Sequence, residues 1–232
     1  MNNIRANIEF IKNAIDSVKN ASTDVVELVA VTKTFPYWDV LEALKHEIEH
    51  IGESKIQEAL LKFGRLGSSL DGITKHFVGH LQSNKAKKAV ENFDLIHSLD
   101  SIDLAVAIGR HAAGMGKLQN CLVEVKVSHE VTKTGVSPDD LEDFYKQCLS
   151  IPNILIKGLM VIAPYSDNPE DSRPYFKQTY KLFENIKRSF GSSEFNILSM
   201  GMSDDYKIAV EEGATMVRVG SAIFGKRNYG NK

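Results

Sequence analysis

Residues 197–225 read ILSMGMSDDYKIAVEEGATMVRVGSAIFG. A short apolar run, Ile197–Met200, ends in Gly201-Met202-Ser203-Asp204-Asp205. A second, Met216–Val219, ends in Gly220-Ser221 and leads to Phe224-Gly225. Both runs are dense in apolar residues and do not alternate strictly, the pattern of parallel strands covered by helices. Working outward, the same unit recurs at Leu28–Val31, Glu49–Gly52, His76–Gly79, Leu95–Leu99, Leu122–Val127 and Ile156–Ile162. Longer stretches with helix formers lie between them, among them Tyr37–Lys45, Asn84–Asn92, Pro138–Leu149 and Pro174–Phe190. Pro138-Asp139-Asp140 has the composition of a helix first turn, where the dipole favours acidic residues. Ahead of the first run, Ile4, Ile8, Ile11, Ile15 and Val18 stack on one face of an amphipathic helix.

Such alternation leaves an open doubly wound sheet or a closed barrel. Eight strand–helix units in 232 residues, preceded by one extra helix, predict an α/β fold of the (β/α)8 TIM-barrel type. Without a Pro/Gly/Ser-rich linker, low-complexity tract or internal repeat, residues 1–232 are expected to form a single domain.

Composition narrows the partners. A formal net charge of -2 gives no global pull toward nucleic acid or an anionic membrane. Cys121 and Cys148 form no CxxC pair or disulfide framework, which suits a reducing cytoplasm. No apolar run approaches the roughly 20 residues of a membrane helix, and the N-terminus lacks a signal peptide's apolar core. A cytoplasmic protein is the expectation.

In a barrel of this type the chemistry sits on the loops after the strands. The first run is followed by Thr32-Lys33-Thr34, the second by Gly52-Glu53-Ser54, the third by Gly79-His80. Most lysines at strand ends are merely solvated. One partly desolvated at a barrel mouth has a lowered pKa and can form an imine. Gly201 and Gly220 allow close backbone approach, and Ser203 is placed to cap the next helix while facing an anion; such loops commonly bind phosphate. Arg218 has two readings, an ion pair with Glu53 or a donor at the barrel mouth that keeps a ring nitrogen unprotonated. His80 stands at the same mouth, packed beside a bound group or bonded to a loop carbonyl.

The stretches VAVTKTFP (29–36), GESKIQE (52–58), HFVGHLQSNKAKK (76–88), GLMVIAP (158–164) and LSMGMSDDYKIAVEEGATMVRVGSAIFGKRNYG (198–230) resemble the pyridoxal phosphate homeostasis proteins. These are single-domain relatives of the alanine racemase N-terminal barrel, with a fold type III-like arrangement of the cofactor. The resemblance implies pyridoxal 5′-phosphate (PLP) joined to Lys33 as an internal aldimine. It places the phosphate on Ser203 and the backbone around Met202, Gly220 and Ser221, and Arg218 at the pyridine nitrogen. The family usually has Gly-Glu-Asn after the second strand; here Ser54 replaces the asparagine, with a shorter side chain that cannot offer two N–H donors.

Racemases of this fold draw a second acid/base group from a C-terminal domain of the partner subunit, whereas this sequence stops at Lys232. An arginine at the ring nitrogen also weakens the cofactor's electron sink. The expectation is therefore storage or delivery of PLP by a monomer, with apo PLP-dependent enzymes as acceptors, and no defined catalytic turnover. A small amino-acid racemase or decarboxylase is the alternative. A cofactor-free Schiff-base barrel acting on a sugar phosphate, and a scaffold with a vestigial site, are further rivals.

Two motifs are decoys. His46-Glu47-Ile48-Glu49-His50 matches H-E-x-x-H, which binds zinc only when one helix carries both histidines, and His50 opens a strand. Asn84-Lys85-Ala86-Lys87-Lys88 is basic but lacks aromatic residues for stacking on RNA. Lys133-Thr134-Gly135 matches a family feature whose role does not follow from the residues.

Overall fold

A computed structural model describes residues 3–19, 25–127 and 134–226 of the chain. Helix α1 (Ile4–Val18) comes first. Then follow β1 (Glu27–Val31), α2 (Tyr37–Leu44), β2 (His50–Glu53), α3 (Ile56–Leu66), β3 (Thr74–Phe77) and α4 (Ala86–Asn92). The second half runs β4 (Leu95–Leu99), α5 (Ile102–Ala113), β5 (Gln119–Val125), α6 (Leu141–Leu149) and β6 (Ile154–Val161). It finishes with α7 (Arg173–Phe190), β7 (Ile197–Ser199), α8 (Tyr206–Glu211), β8 (Met216–Val219) and α9 (Ser221–Phe224). The eight strands are parallel and close into a barrel, β8 pairing with β1 through Glu27–Met216 to Ala30–Val219.

All eight apolar runs became strands, with shifted ends. β3 starts at Thr74 and β5 at Gln119, because polar residues extend the ladder toward the barrel base. Gln119 is fully buried there, its amide nitrogen donating to the carbonyls of Asp94 and Asn120. Pro138–Asp140 form a turn, and the helix begins only at Leu141. Ser137 and Asp140 bond each other across this turn, so the acidic pair precedes the helix.

Asn3 caps α1 by accepting the Ala6 N–H, and Ile4, Ile8, Ile11 and Ile15 are buried. The helix packs on α2, α8 and α9, and Asn7 Nδ2 donates to Ile223 O at 2.8 Å. It thus bridges the first and last units where the barrel closes. Among the described residues, no helix is long and apolar enough to cross a membrane.

Two cores result. The larger fills the space between sheet and helices, while Val29, Leu95, Leu122, Met160 and Met216 form a small cluster inside the barrel. Side chains along a strand alternate between faces. Counting by twos from that inner cluster therefore brings Val31 and Lys33, Glu124 and Lys126, Ile162, and Arg218 and Gly220 toward the C-terminal mouth. Sequence periodicity and barrel register together decide what faces the site.

Candidate functional site

Lys33 lies in the turn after β1 and is half-buried. Its neighbours are fastened from outside the barrel. Thr32, fully buried, donates its hydroxyl to Glu53 Oε1 at 2.6 Å, and Lys62 Nζ donates to Thr32 O at 2.7 Å. Lys62, from α3, also pairs with Glu53 and Glu58, and the Glu58 carboxylate accepts the Thr34 N–H. Thr34 itself has φ of 68°, a left-handed turn that needs such support. Burial pushes the Glu53 carboxyl up against the opposing pull of Lys62. Of the two readings of Arg218, the ion pair with Glu53 does not form, since Glu53 pairs with Lys62 and Thr32. Gly52 and Ser54 take the inward positions on either side of Glu53, so its carboxylate turns to α3.

Lys33, Ser54, Gly79, His80, Glu124 and Lys126 line one cleft of about 470 Å³ at the mouth. Its wall is tight where β2 and β3 end: a Cβ on Gly79 would sit 2.3 Å from Ser54 O. His80 is exposed, with Nδ1 3.5 Å from Asp100 Oδ2. Burial, then the charge of Asp100, raises the Glu124 carboxyl to about 7, against the opposing pull of Arg218 and a bond from Thr134.

Arg218 is buried inside the barrel. Nη1 donates to Ser199 Oγ at 2.7 Å and Nη2 to Val161 O at 2.8 Å. Burial lowers it to about 10, while Asp205 and Glu124 hold it up, so it remains a cation at neutral pH. It therefore only donates hydrogen bonds.

The loops after β7 and β8 meet over this arginine. Ser203 Oγ accepts from the Gly220 and Ala222 N–H groups, both at 3.2 Å. It does not cap the following helix, as the sequence suggested. Asp205 governs that turn instead, accepting the Met202 N–H at 2.6 Å and the Ser172 hydroxyl at 3.1 Å. The Met202 N–H thus faces Asp205, and Ser203 is left to reach across to the β8 loop. Gly201 has φ of 89°, and a Cβ there would lie 2.5 Å from Ala209 Cβ, so only glycine suits this turn. Ser221 begins α9 directly after Gly220. A Cβ on Gly220 would be 3.1 Å from Val31 O, which sets the Ser203–Gly220 contact against the end of the strand that leads to Lys33.

The expected residues that line a cavity are thus divided among three. Lys33, Ser54 and His80 share the cleft, while Ser203 lines a separate groove of about 450 Å³ against α1 and Met202 a third of about 230 Å³. Lys133 lies outside the described residues. His46 stands in the turn after α2 and bonds Glu42, whereas His50 opens β2 and bonds His76, so H-E-x-x-H is divided between elements. The sequence reading missed Glu124 and Lys126. Their signal was present: in Leu122-Val123-Glu124-Val125-Lys126 the polar residues share the phase of inward Leu122. It also missed Lys62, a buried lysine in α3 that anchors the Lys33 turn.

The family model for the alanine racemase N-terminal domain matches residues 1–228. A curated relative from Aquifex aeolicus, a pyridoxal phosphate homeostasis protein, is 41% identical over 207 residues, covering 88% of each chain. The structure of PipY from Synechococcus elongatus with PLP bound superposes with a TM-score of 0.85 at 36% identity, covering 96% of this chain and 100% of that one. Alanine racemase from Clostridium difficile shares the fold, with a TM-score of 0.71 at 15% identity, covering 98% of this chain and 57% of that one. A second curated relative, from Pasteurella multocida, is 34% identical over 219 residues, covers 94% of each chain and is also named a pyridoxal phosphate homeostasis protein.

Proposed function

The chain belongs to the alanine racemase N-terminal domain family, in its pyridoxal phosphate homeostasis branch, and from that premise we propose that it holds PLP on Lys33 and passes it on. The observation that carries this reading is the position of Lys33 in the mouth cleft, with its turn fastened on both sides by Glu53, Glu58 and Lys62. The cleft volume of about 470 Å³ lies within the usual range for a cofactor site. Ser203 marks where an oxygen is taken by two converging N–H groups, those of Gly220 and Ala222. A phosphate oxygen fits the same chemistry.

Bound there, PLP supplies an aldehyde that condenses reversibly with an amine. Lys33 offers that amine. Ser203, on the loop shaped by Gly201, and the backbone of Gly220 and Ser221 would hold the phosphate. Arg218 would donate toward the ring nitrogen and, having no lone pair to accept with, would disfavour a proton on it. That weakens the electron withdrawal on which amino-acid chemistry depends and favours carriage over turnover. Ser54 and His80, which line the cleft after β2 and β3, would flank the ring. The reading extends to a monomeric carrier in the cytoplasm with apo-enzymes as acceptors, and the net charge of -2 speaks against nucleic acid. Racemase activity is not favoured, since the solved alanine racemase is only 15% identical, whereas the curated relatives at 41% and 34% are named homeostasis proteins.

The test is borohydride reduction of the PLP-loaded chain followed by peptide mass mapping. The expected result is one modified peptide carrying Lys33, absent in Lys33→Ala. An unmodified wild-type chain, or modification only elsewhere, overturns the reading.

A further inference from the structure

Beneath the cofactor site a line of polar side chains crosses the barrel interior. His50 Nδ1 lies 2.9 Å from His76 Nε2, and His76 Nδ1 lies 2.8 Å from His97 Nε2. His97 Nδ1 is 3.2 Å from Ser199 Oγ, which accepts from Arg218 Nη1 at 2.7 Å. His76, His97, Ser199 and Arg218 are buried, and half-buried His50 lines a cleft at the barrel base with Glu27, Glu49 and Lys12. The line therefore runs from solvent at the base to the guanidinium under the mouth.

Its direction is fixed by elimination. Arg218 has no acceptor, so it donates to Ser199 Oγ. The one proton of the buried Ser199 hydroxyl then has a single remaining acceptor within bonding distance, His97 Nδ1. A His97 that accepts at Nδ1 and is neutral carries its proton on Nε2 and donates to His76 Nδ1. By the same step His76 donates from Nε2 to His50 Nδ1. The reverse order would leave the Ser199 hydroxyl proton buried without an acceptor and would turn every N–H toward a cation. In the forward order all the dipoles present their negative ends to Arg218. Burial keeps His97 and His76 neutral, His76 at about 3, as this order requires.

We propose that Ser199, His97, His76 and His50 form a one-way chain of neutral hydrogen bonds that positions Arg218 and stabilises its charge for the cofactor. This rests on the PLP reading for what Arg218 faces, but the chain itself lies in this protein's own side chains. It explains how a cation can be buried while its two bonded acceptors are an uncharged hydroxyl and a carbonyl.

The test has two arms. Nitrogen-15 spectra of the full chain without cofactor should show His76 and His97 neutral with the proton on Nε2, and no proton on His50 Nδ1; a proton on Nδ1 of His76 or His97 overturns the direction. On the PLP-loaded chain, Ser199→Ala should shift the visible band of the bound cofactor and raise its release rate roughly tenfold, as loss of outer-shell partners does elsewhere. His76→Leu should do the same, while His76→Gln, which keeps a donor and an acceptor, should stay near wild type. Wild-type band and release rate in both Ser199→Ala and His76→Leu overturn the positioning role. If the wild-type chain takes up no PLP, the cofactor reading fails, and the tautomers alone then decide the chain.

Discussion

The Glu124 carboxyl shares the mouth cleft with Lys33 and feels Asp100 and Arg218 in opposite senses. Burial lifts it from an ordinary 4.5 to about 7 in the folded chain. The folded state therefore holds this proton more tightly than the unfolded one. Its stabilising effect is whole below the ordinary value and is lost as pH rises through about 7. Glu124→Gln removes the titration, so its melting temperature should fall less than that of the wild type across this window. Equal slopes in thermal melts of the two proteins would show that Glu124 titrates normally. The same residue sets the charge beside Lys33, since half of it is ionised near pH 7, so cofactor uptake should vary over the pH range where stability does.

Between β5 and β6 the register slips: Cys121 pairs with Ile156 but Leu122 with Gly158. The extra residue, Lys157, turns its amine to Glu194 at 2.6 Å on the surface. This bulge keeps Glu124 opposite Met160, so that both strands deliver inward residues to the mouth together. Gly158 has φ of 153°, and a Cβ there would fall 1.7 Å from Ile197 O on β7. A methyl group must push two strands apart, so Gly158→Ala should cost about 2–4 kcal/mol, seen as a lower urea midpoint. Gly64→Ala, on the exposed face of α3 with nothing within 4 Å of its Cβ, should gain about 0.5–1 kcal/mol. Similar midpoints for the two variants would mean that β6 tolerates the methyl and the bulge is not built on glycine.

At the scale of the whole molecule, the barrel interior is unusually polar on one side. Val29, Leu95, Leu122, Met160 and Met216 fill part of it, and His76, His97, Ser199 and Arg218 fill much of the rest. Both buried histidines are held below the ordinary 6.5, His76 at about 3. As pH falls below 6.5 the unfolded chain takes up protons that the folded chain refuses, so stability is whole above that value and is lost on acidification. Each fully refused proton contributes about 1.4 kcal/mol per pH unit, so the pair should make unfolding steeply acid-sensitive. Urea midpoints measured from neutral to acid pH should fall less steeply in His97→Phe. An unchanged slope would mean that His97 is already charged or exposed.

Much of this fold could be read along the chain, since eight apolar runs separated by helix formers are a local signal of burial on both faces. The lysine after β1 and the glycines and serine after β7 and β8 stood out as candidates because they follow strands, where a barrel gathers its loops, and Arg218 because it is a charge within the apolar run of β8. The Ser203 hydroxyl has the local sequence of a helix cap, but its partners lie 17 and 19 residues away, beyond what neighbouring residues reveal. Glu124 was hidden inside a run read only for its apolar content. The histidine line could not be read at all. His97 and Ser199 are 102 residues apart, and only the closure and register of the barrel bring them within a hydrogen bond. Burial of apolar side chains follows a period that neighbours along the chain reveal, but a hydrogen bond across a barrel depends on which strand lies opposite, and that is decided when the sheet closes.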